Sequence, residues 1–341
     1  MGALRKLGAL ARGGYNAPGL VVITGTSTGI GRATAVAMAK SGHRVIAGVR
    51  SRADWSSVGA EHENIEPFFL DITDPDHVAA LRERVEREPG GLDVLINNAG
   101  IAGLGPIEVL PMQRWEEVFQ VNILGTIAVT QAVLPALFRA RGRVVNVNSP
   151  SGSIAFPMLG AYSVSKFAMQ AITDTLRREG KPGGLTVTSV SPGMISTEIF
   201  GKSLDEGRAL MSQVYPPELH DRYGALAVGA IVAGEDAIHG GGSSPAKAAE
   251  LVIHAATVRR PRTRYGQGVE NKAVSVLSSL PDRVGDALIG LATSGDYTPP
   301  PEVLEGRPGP GNLPPSKYPK ADAAPQPAAS GAHASARVSA H

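Results

Sequence analysis

Leu20-Val21-Val22-Ile23-Thr24-Gly25-Thr26-Ser27-Thr28-Gly29-Ile30-Gly31 is the stretch on which the fold of this chain turns. Four aliphatic residues run without a polar interruption, which suits a strand covered on both faces. Gly25, Gly29 and Gly31 follow, and then an apolar-periodic segment from Ile30 to Lys40 that reads as a helix. Glycines admit a left-handed backbone and let main chain approach a ligand closely, while a helix N-terminus offers unpaired N–H groups and the positive end of the dipole. Strand, glycine turn and helix in that order make the context a diphosphate-binding turn requires, and no Lys-Ser/Thr follows the glycines as a triphosphate-binding loop would need. A dinucleotide is the expected ligand.

Outward from this stretch the same alternation repeats. Strands are expected at Leu20 to Gly25, Arg44 to Val49, Ile65 to Ile72, Asp93 to Asn98, Arg143 to Asn148 and Leu185 to Ser191. Helices are expected at Ile30 to Lys40, Pro75 to Glu88, Arg114 to Arg139 (with breaks near Asn122 and Pro135) and Ala161 to Glu179, and another begins at Pro245 behind a Ser244 cap. Repeated βα units of this length predict an α/β fold: a doubly wound parallel sheet, or Rossmann fold, with ligands at the carboxyl ends of the strands. The boundaries expected are a flexible leader at 1–19, one domain at 20–290 with a mobile or helical substrate lid at about 197–242, and a Pro/Ala-rich disordered tail at 291–341.

Composition narrows the function classes. The 341 residues are 43% hydrophobic and 19% charged, enough to bury a core. A formal net charge of +2 gives no reason to expect nucleic acid or an anionic membrane as partner. The absence of cysteine removes thiol nucleophiles and cysteine-ligated zinc, and the eight histidines show no ligand spacing, so no metal is expected. No uninterrupted run of about 18 apolar residues is present, and the expectation is a soluble, cytoplasmic protein with no membrane span.

Three further places carry chemistry. Arg50 follows the second strand, with Arg52 close behind; an acidic residue there would bond a ribose hydroxyl, and a basic one pairs with a 2′-phosphate. NADP is therefore expected, with NAD the alternative if Arg50 is an ordinary loop residue. Asp71, ending the third strand, is placed to hold an adenine amino group or, equally, to cap the next turn. Tyr162 and Lys166 stand i and i+4 on one helical face. A nearby ammonium would pull the phenol below its usual pKa of about 10 and suit it to proton exchange with an alcohol or carbonyl oxygen. Ser149 closes the fifth strand, where a hydroxyl could steady the same oxygen.

Taken together, these motifs resemble those of the classical short-chain dehydrogenase/reductase family over about residues 20–290. TGTSTGIG resembles its cofactor glycine motif, Asn97-Asn98-Ala99-Gly100 its NNAG motif, Val121-Asn122 its helix-borne asparagine, and Pro192-Gly193 with Thr197 its PG motif and threonine. Ser149 precedes Tyr162 by thirteen residues, as in the family. The resemblance implies a catalytic set of Asn122, Ser149, Tyr162 and Lys166. Tyr162 would be the general acid in carbonyl reduction, Lys166 would lower its pKa and bind the nicotinamide ribose, Ser149 would hold the substrate oxygen, and Asn122 would hold a water behind Lys166. It implies cofactor contacts from Gly25, Ser27, Thr28, Gly29, Ile30, Gly31, Arg50, Asp71, Ile72, Asn98, Ala99, Gly100, Tyr162, Lys166, Pro192, Gly193, Ile195 and Thr197. Asn97 is expected to bridge strands rather than touch cofactor.

Val45 to Arg50, the long segment after Pro192-Gly193, the run Arg260 to Tyr265 and Leu280 to Arg283 are similar to the retinol and 17β-hydroxysteroid dehydrogenase-like group. That similarity implies a small hydrophobic alcohol or carbonyl substrate and a homodimer or homotetramer. Ile154, Phe156, Met158, Leu159, Met194, Ile199, Phe200, Leu204, Leu210 and Met211 are candidates for its pocket or for plain core. The alternatives are a 3-oxoacyl-thioester reductase and a non-catalytic nucleotide-sensing scaffold.

Overall fold

Each apolar run becomes a strand in the computed structural model, which describes residues 18–195, 201, 203–209, 217–236 and 242–293. In chain order the elements are β1 (Leu20–Ile23), α1 (Gly29–Lys40), β2 (Arg44–Val49), α2 (Arg52–Gly59), β3 (Ile65–Phe69), α3 (Pro75–Glu86) and β4 (Val94–Asn97). There follow α4 (Met112–Phe119), a π turn (Gln120–Gly125), α5 (Thr126–Ala140), β5 (Arg143–Val147), a 3-10 turn (Pro150–Gly152), α6 (Gly160–Gly180) and β6 (Thr186–Ser191). A helical segment at 203–209 precedes α7 (Pro217–Glu235), α8 (Pro245–Thr257), β7 (Arg264–Gly266), α9 (Gly268–Leu277) and α10 (Asp282–Thr293).

The strands form one parallel sheet in the order β3-β2-β1-β4-β5-β6-β7. Pleating sends alternate side chains to opposite faces. Val21, Ile23, Val45 and Ala47 pack on α1 and α8 through Ala35, Met38, Val252 and Ala255. Leu20, Val22, Ile46 and Leu95 pack on α3 and α5 through Leu81, Val85, Val129 and Val133. Each such aliphatic side chain stabilises the fold by about 1.5–3 kcal/mol relative to exposure. Strand order reverses between β1 and β4, and a crevice opens there beyond the strand ends.

The sheet and its helices form a single domain of the expected class. The segments at 1–17 and 294–341, expected as leader and tail, lie outside the described residues. Three differences have physical reasons. β7 pairs with β6 over three residues and carries no apolar alternation, and α2 buries Val58 alone, so neither has a periodic signal. The break expected near Asn122 is a π turn that keeps the helix running, and Pro135 sits inside α5 without ending it. That continuous helix, Met112–Ala140, is long and apolar enough to cross a membrane, with a mean hydropathy of 1.7 in its most apolar window. The sequence shows no uninterrupted apolar run because Asn122 and other polar residues punctuate it; here Asn122, Val129, Val133 and Leu137 are buried within the domain.

Arg143, at the first position of β5, is fully buried and donates from Nη1 to Ala255 O at 2.6 Å and from Nη2 to Val258 O at 2.9 Å. Its guanidinium thus caps the C-terminus of α8, where carbonyls lack helical partners and the dipole is negative. Arg143→Met keeps much of the volume but strands both carbonyls, and is expected to lower unfolding free energy by about 2–4 kcal/mol. Urea denaturation of the two proteins checks this.

Candidate active site

The glycine turn shapes one end of the crevice. Gly25 and Gly29 have φ of +68° and +60°, a region that side chains disfavour. A Cβ on Gly31 would stand 2.2 Å from Gly25 O and 2.4 Å from Asn98 Nδ2, so the helix can approach the turn this closely through glycine alone. The Asn98 amide donates to Thr24 O and Gly25 O at 3.0 and 2.9 Å, and Thr24 Oγ1 accepts the N–H groups of Asn98 and Ala99. Thr26 is tied to Gly48 O by both its amide and its hydroxyl. The start of α1 has no side-chain cap and no acidic residue in its first turn, so its N–H groups and dipole face the crevice uncompensated.

At the other end, β5 delivers Ser149 and α6 delivers Tyr162 and Lys166. The Ser149 hydroxyl hydrogen-bonds the Tyr162 phenol and accepts Ser151 N–H at 3.2 Å. Lys166 Nζ donates to Val147 O at 3.2 Å and lies 5.5 Å from the centre of the Tyr162 ring. Both side chains are buried, Tyr162 to 8% and Lys166 to 6% exposure. Burial pushes the phenol above its ordinary pKa, with the Ser149 bond pulling the other way, and pushes the ammonium down to about 8. This differs from the expected lysine-lowered phenol: in the protein alone burial disfavours both charges, and for the phenol it outweighs the Ser149 bond. Asn122 lies behind them, 1% exposed, accepting Ile101 N–H and donating to Ile101 O and Ser165 Oγ at 2.8–2.9 Å. Ser165 Oγ in turn donates to Tyr162 O at 2.7 Å.

One cavity of about 580 Å³ joins the two ends, within the roughly 300–1,000 Å³ of small-molecule and cofactor sites. Its lining includes Gly25, Ser27, Thr28, Gly29, Ile30, Arg50, Asp71, Ile72, Asn98, Ala99, Gly100, Ser149, Tyr162, Lys166, Pro192, Gly193 and Ile195. Gly31 supports this wall from beneath, and Asn122 is set back from it. Thr197 lies outside the described residues. A cradle of positive-φ glycines, an open helix N-terminus and a cavity of this size fit a dinucleotide.

The family model for short chain dehydrogenases matches residues 19–207. The chain belongs to the short-chain dehydrogenase family. It is 36% identical over 282 residues to retinol dehydrogenase 5 of Mus musculus, covering 79% of this chain and 87% of that one. It is 36% identical over 194 residues to the NADPH-dependent 3-dehydrocapnine reductase of Ornithobacterium rhinotracheale, covering 54% and 69% respectively. A short-chain dehydrogenase structure from Streptomyces avermitilis superimposes with a TM-score of 0.65 at 26% identity, covering 80% of this chain and 96% of that one. The protein is an NAD(P)-dependent oxidoreductase acting on CH–OH groups.

Within this dehydrogenase the remaining sequence readings divide. Asn97 bridges β4 and β5 as expected, donating to Asn146 Oδ1 at 2.9 Å and to Thr130 Oγ1 at 3.0 Å. Asp71 lines the cavity and also caps its turn, its Oδ1 taking the Thr73 amide and hydroxyl. Of the apolar candidates, those among the described residues do not line this cavity. Met158, Leu159 and Leu204 pack instead with Leu104, Leu219 and Ile231 in a separate cluster, where α7 and the 203–209 segment bury their own apolar faces. Ile154, Phe156 and Met194 stand outside the lining too, and Ile199, Phe200, Leu210 and Met211 fall outside the described residues. Arg114, Ser203 and Glu206, which the sequence does not single out, also line it. Arg114 pairs with Glu206 at 2.7 Å and shares Ala102 O with Ser203. Nothing in the spacing of three ordinary polar residues signals that they meet.

Proposed function

We propose that this dehydrogenase uses NADP(H) to interconvert an apolar alcohol and its ketone or aldehyde, with Tyr162 as general acid in the reducing direction. The observation that carries the reading is the convergence of Ser149, Tyr162 and Lys166 at one end of a cavity whose other end is the glycine turn. The likeness to a retinol dehydrogenase supports an apolar substrate, and the likeness to an NADPH-dependent reductase supports the cofactor. Arg50, on the wall where a 2′-phosphate would be read, supports it independently.

Bound NADPH would supply a hydride to the carbonyl carbon. The chain's own residues manage the oxygen. Ser149 positions it, and the Tyr162 phenol, kept neutral by burial, gives it a proton as negative charge develops. Lys166, as an ammonium, stabilises the phenolate left behind and bonds the cofactor's ribose. Asn122, fixed on both sides by Ile101, anchors the π turn beneath them. Oxidation runs the same steps in reverse.

The ammonium form of Lys166 is present below about pH 8 and lost above it. kcat/KM for carbonyl reduction is therefore expected to fall as pH rises through that value, and Lys166→Arg to remove this limb, since a guanidinium stays charged. A wild-type profile flat past about pH 10 would contradict the assignment. Exposed Leu124, Val164 and Phe167, on the π turn and α6, support a homo-oligomeric assembly packed through that face. The test of the function is an activity screen with NADPH against NADH over steroids, retinoids and medium-chain ketones. Turnover of apolar carbonyls with NADPH is expected, and none with either cofactor would overturn it.

A further inference from the structure

The charges facing the adenosine end of the cavity do not all favour a phosphate. Arg50 lines that end, and its field acts on Asp71, which lines it too. Ser51 and Asp54 complete the wall, whereas Arg52 does not reach it. Ser51 caps α2: its hydroxyl accepts Asp54 N–H at 3.0 Å and donates its proton to Asp54 Oδ2 at 2.7 Å. A serine directly after an arginine would otherwise offer that proton to a phosphate oxygen. Here it goes to a carboxylate, and the carboxylate faces the cavity.

Asp54 is also held in place. Arg32 Nη1 donates to Ser27 O in the glycine turn at 3.3 Å, and its Nη2 reaches Ser57 Oγ in α2 and Glu61 Oε1, each at 2.7 Å. The glycine turn and α2 are thereby fastened together, so the acid keeps its place against the cavity.

We propose that Asp54 is a second determinant of cofactor choice that opposes Arg50: it repels the 2′-phosphate of NADPH and accepts a hydrogen bond from the ribose hydroxyl of NADH, so that the enzyme takes both. A phosphate monoester carries about −1.5 to −2 charges near neutrality, whereas the hydroxyl in its place is neutral and a donor. One carboxylate therefore moves the two affinities in opposite directions. The inference rests on the NADP(H) reading above and sharpens it from a preference into a balance of two residues.

The test is titration of the full chain with NADPH and with NADH, followed by nicotinamide fluorescence, for wild type, Asp54→Asn and Arg50→Gln. Asp54→Asn keeps the side-chain shape and an oxygen for the Ser51 proton. It is expected to tighten NADPH by about three- to tenfold while NADH is unchanged or weaker, a gain that shrinks at high salt. Arg50→Gln is expected to weaken NADPH by about tenfold and to spare NADH. Equal shifts for both cofactors, or none, on Asp54→Asn would overturn the inference while leaving the Arg50 reading intact. An NADPH affinity that Arg50→Gln leaves unmoved would instead overturn the cofactor reading on which it rests.

Discussion

Tyr162→Phe is expected to lower kcat for carbonyl reduction by about 10²–10⁴-fold while cofactor affinity stays within about twofold. The substitution removes one oxygen and leaves the ring that sits beside Lys166. What is lost is the proton the phenol gives to the substrate oxygen and the bond from Ser149 that aims it. Burial matters to the size of the effect. Tyr162 is 8% exposed, so water has poor access to take over as acid. Presteady-state turnover separates this from a binding defect: the NADPH fluorescence change on mixing should persist while its oxidation does not. A protein that serves only to sense nucleotide would show no functional loss on this change.

Gly31→Ala is the second large effect. The added Cβ would lie 2.2 Å from Gly25 O and 2.4 Å from Asn98 Nδ2, both far inside van der Waals contact. Neither neighbour is free to give way. Gly25 is main chain in a left-handed turn, and the Asn98 amide is committed to Thr24 O and Gly25 O. Either α1 moves off the turn or Asn98 loses its bonds; both disturb the wall that holds the dinucleotide. An affinity loss of about 100-fold or more, with a stability loss of about 1–3 kcal/mol, is expected for an overpacked site of this kind. Gly290, in α10, is the control: a Cβ there meets nothing within 4 Å, so Gly290→Ala should leave cofactor binding unchanged and raise stability by up to about 1 kcal/mol. Isothermal titration and thermal melting of both variants check the pair.

The fold was legible because its central strands are buried on both faces and therefore read as short runs rich in β-branched and aliphatic residues, unbroken at Leu20–Ile23 and mixed with Thr and Ser at Thr186–Ser191. Elements that bury little were not. α2, β7, α9 and α10 lie at edges and surfaces, where packing imposes no pattern on the residues. The cavity wall was legible for a different reason: glycine turns and strand ends place backbone, and backbone needs particular residue types at particular spacings. Electrostatics went the other way. The sign of the Tyr162 shift depends on how deeply the phenol is buried against its bond to Ser149, and neither is written in the i, i+4 spacing. Asp54 was invisible for a related reason, since an acid at the third position of a helix behind a serine looks like an ordinary capping pair. Only the fold turns that pair toward the cofactor wall. The apolar candidates were left open between pocket and core because hydrophobicity alone does not say which cluster a side chain joins; Met158, Leu159 and Leu204 take the core alternative, in the cluster under α7.

The central claim is direct hydride transfer at a site built from Ser149, Tyr162 and Lys166. It is tested most directly by incubating the protein with an apolar ketone and NADPH deuterated at the nicotinamide C4, separately at each face, and analysing the alcohol by mass spectrometry. The account predicts deuterium on the carbinol carbon from one labelled face and none from the other, with Tyr162→Phe yielding almost no alcohol from either. Alcohol formed without label from either face, or formed equally well by Tyr162→Phe, would contradict it.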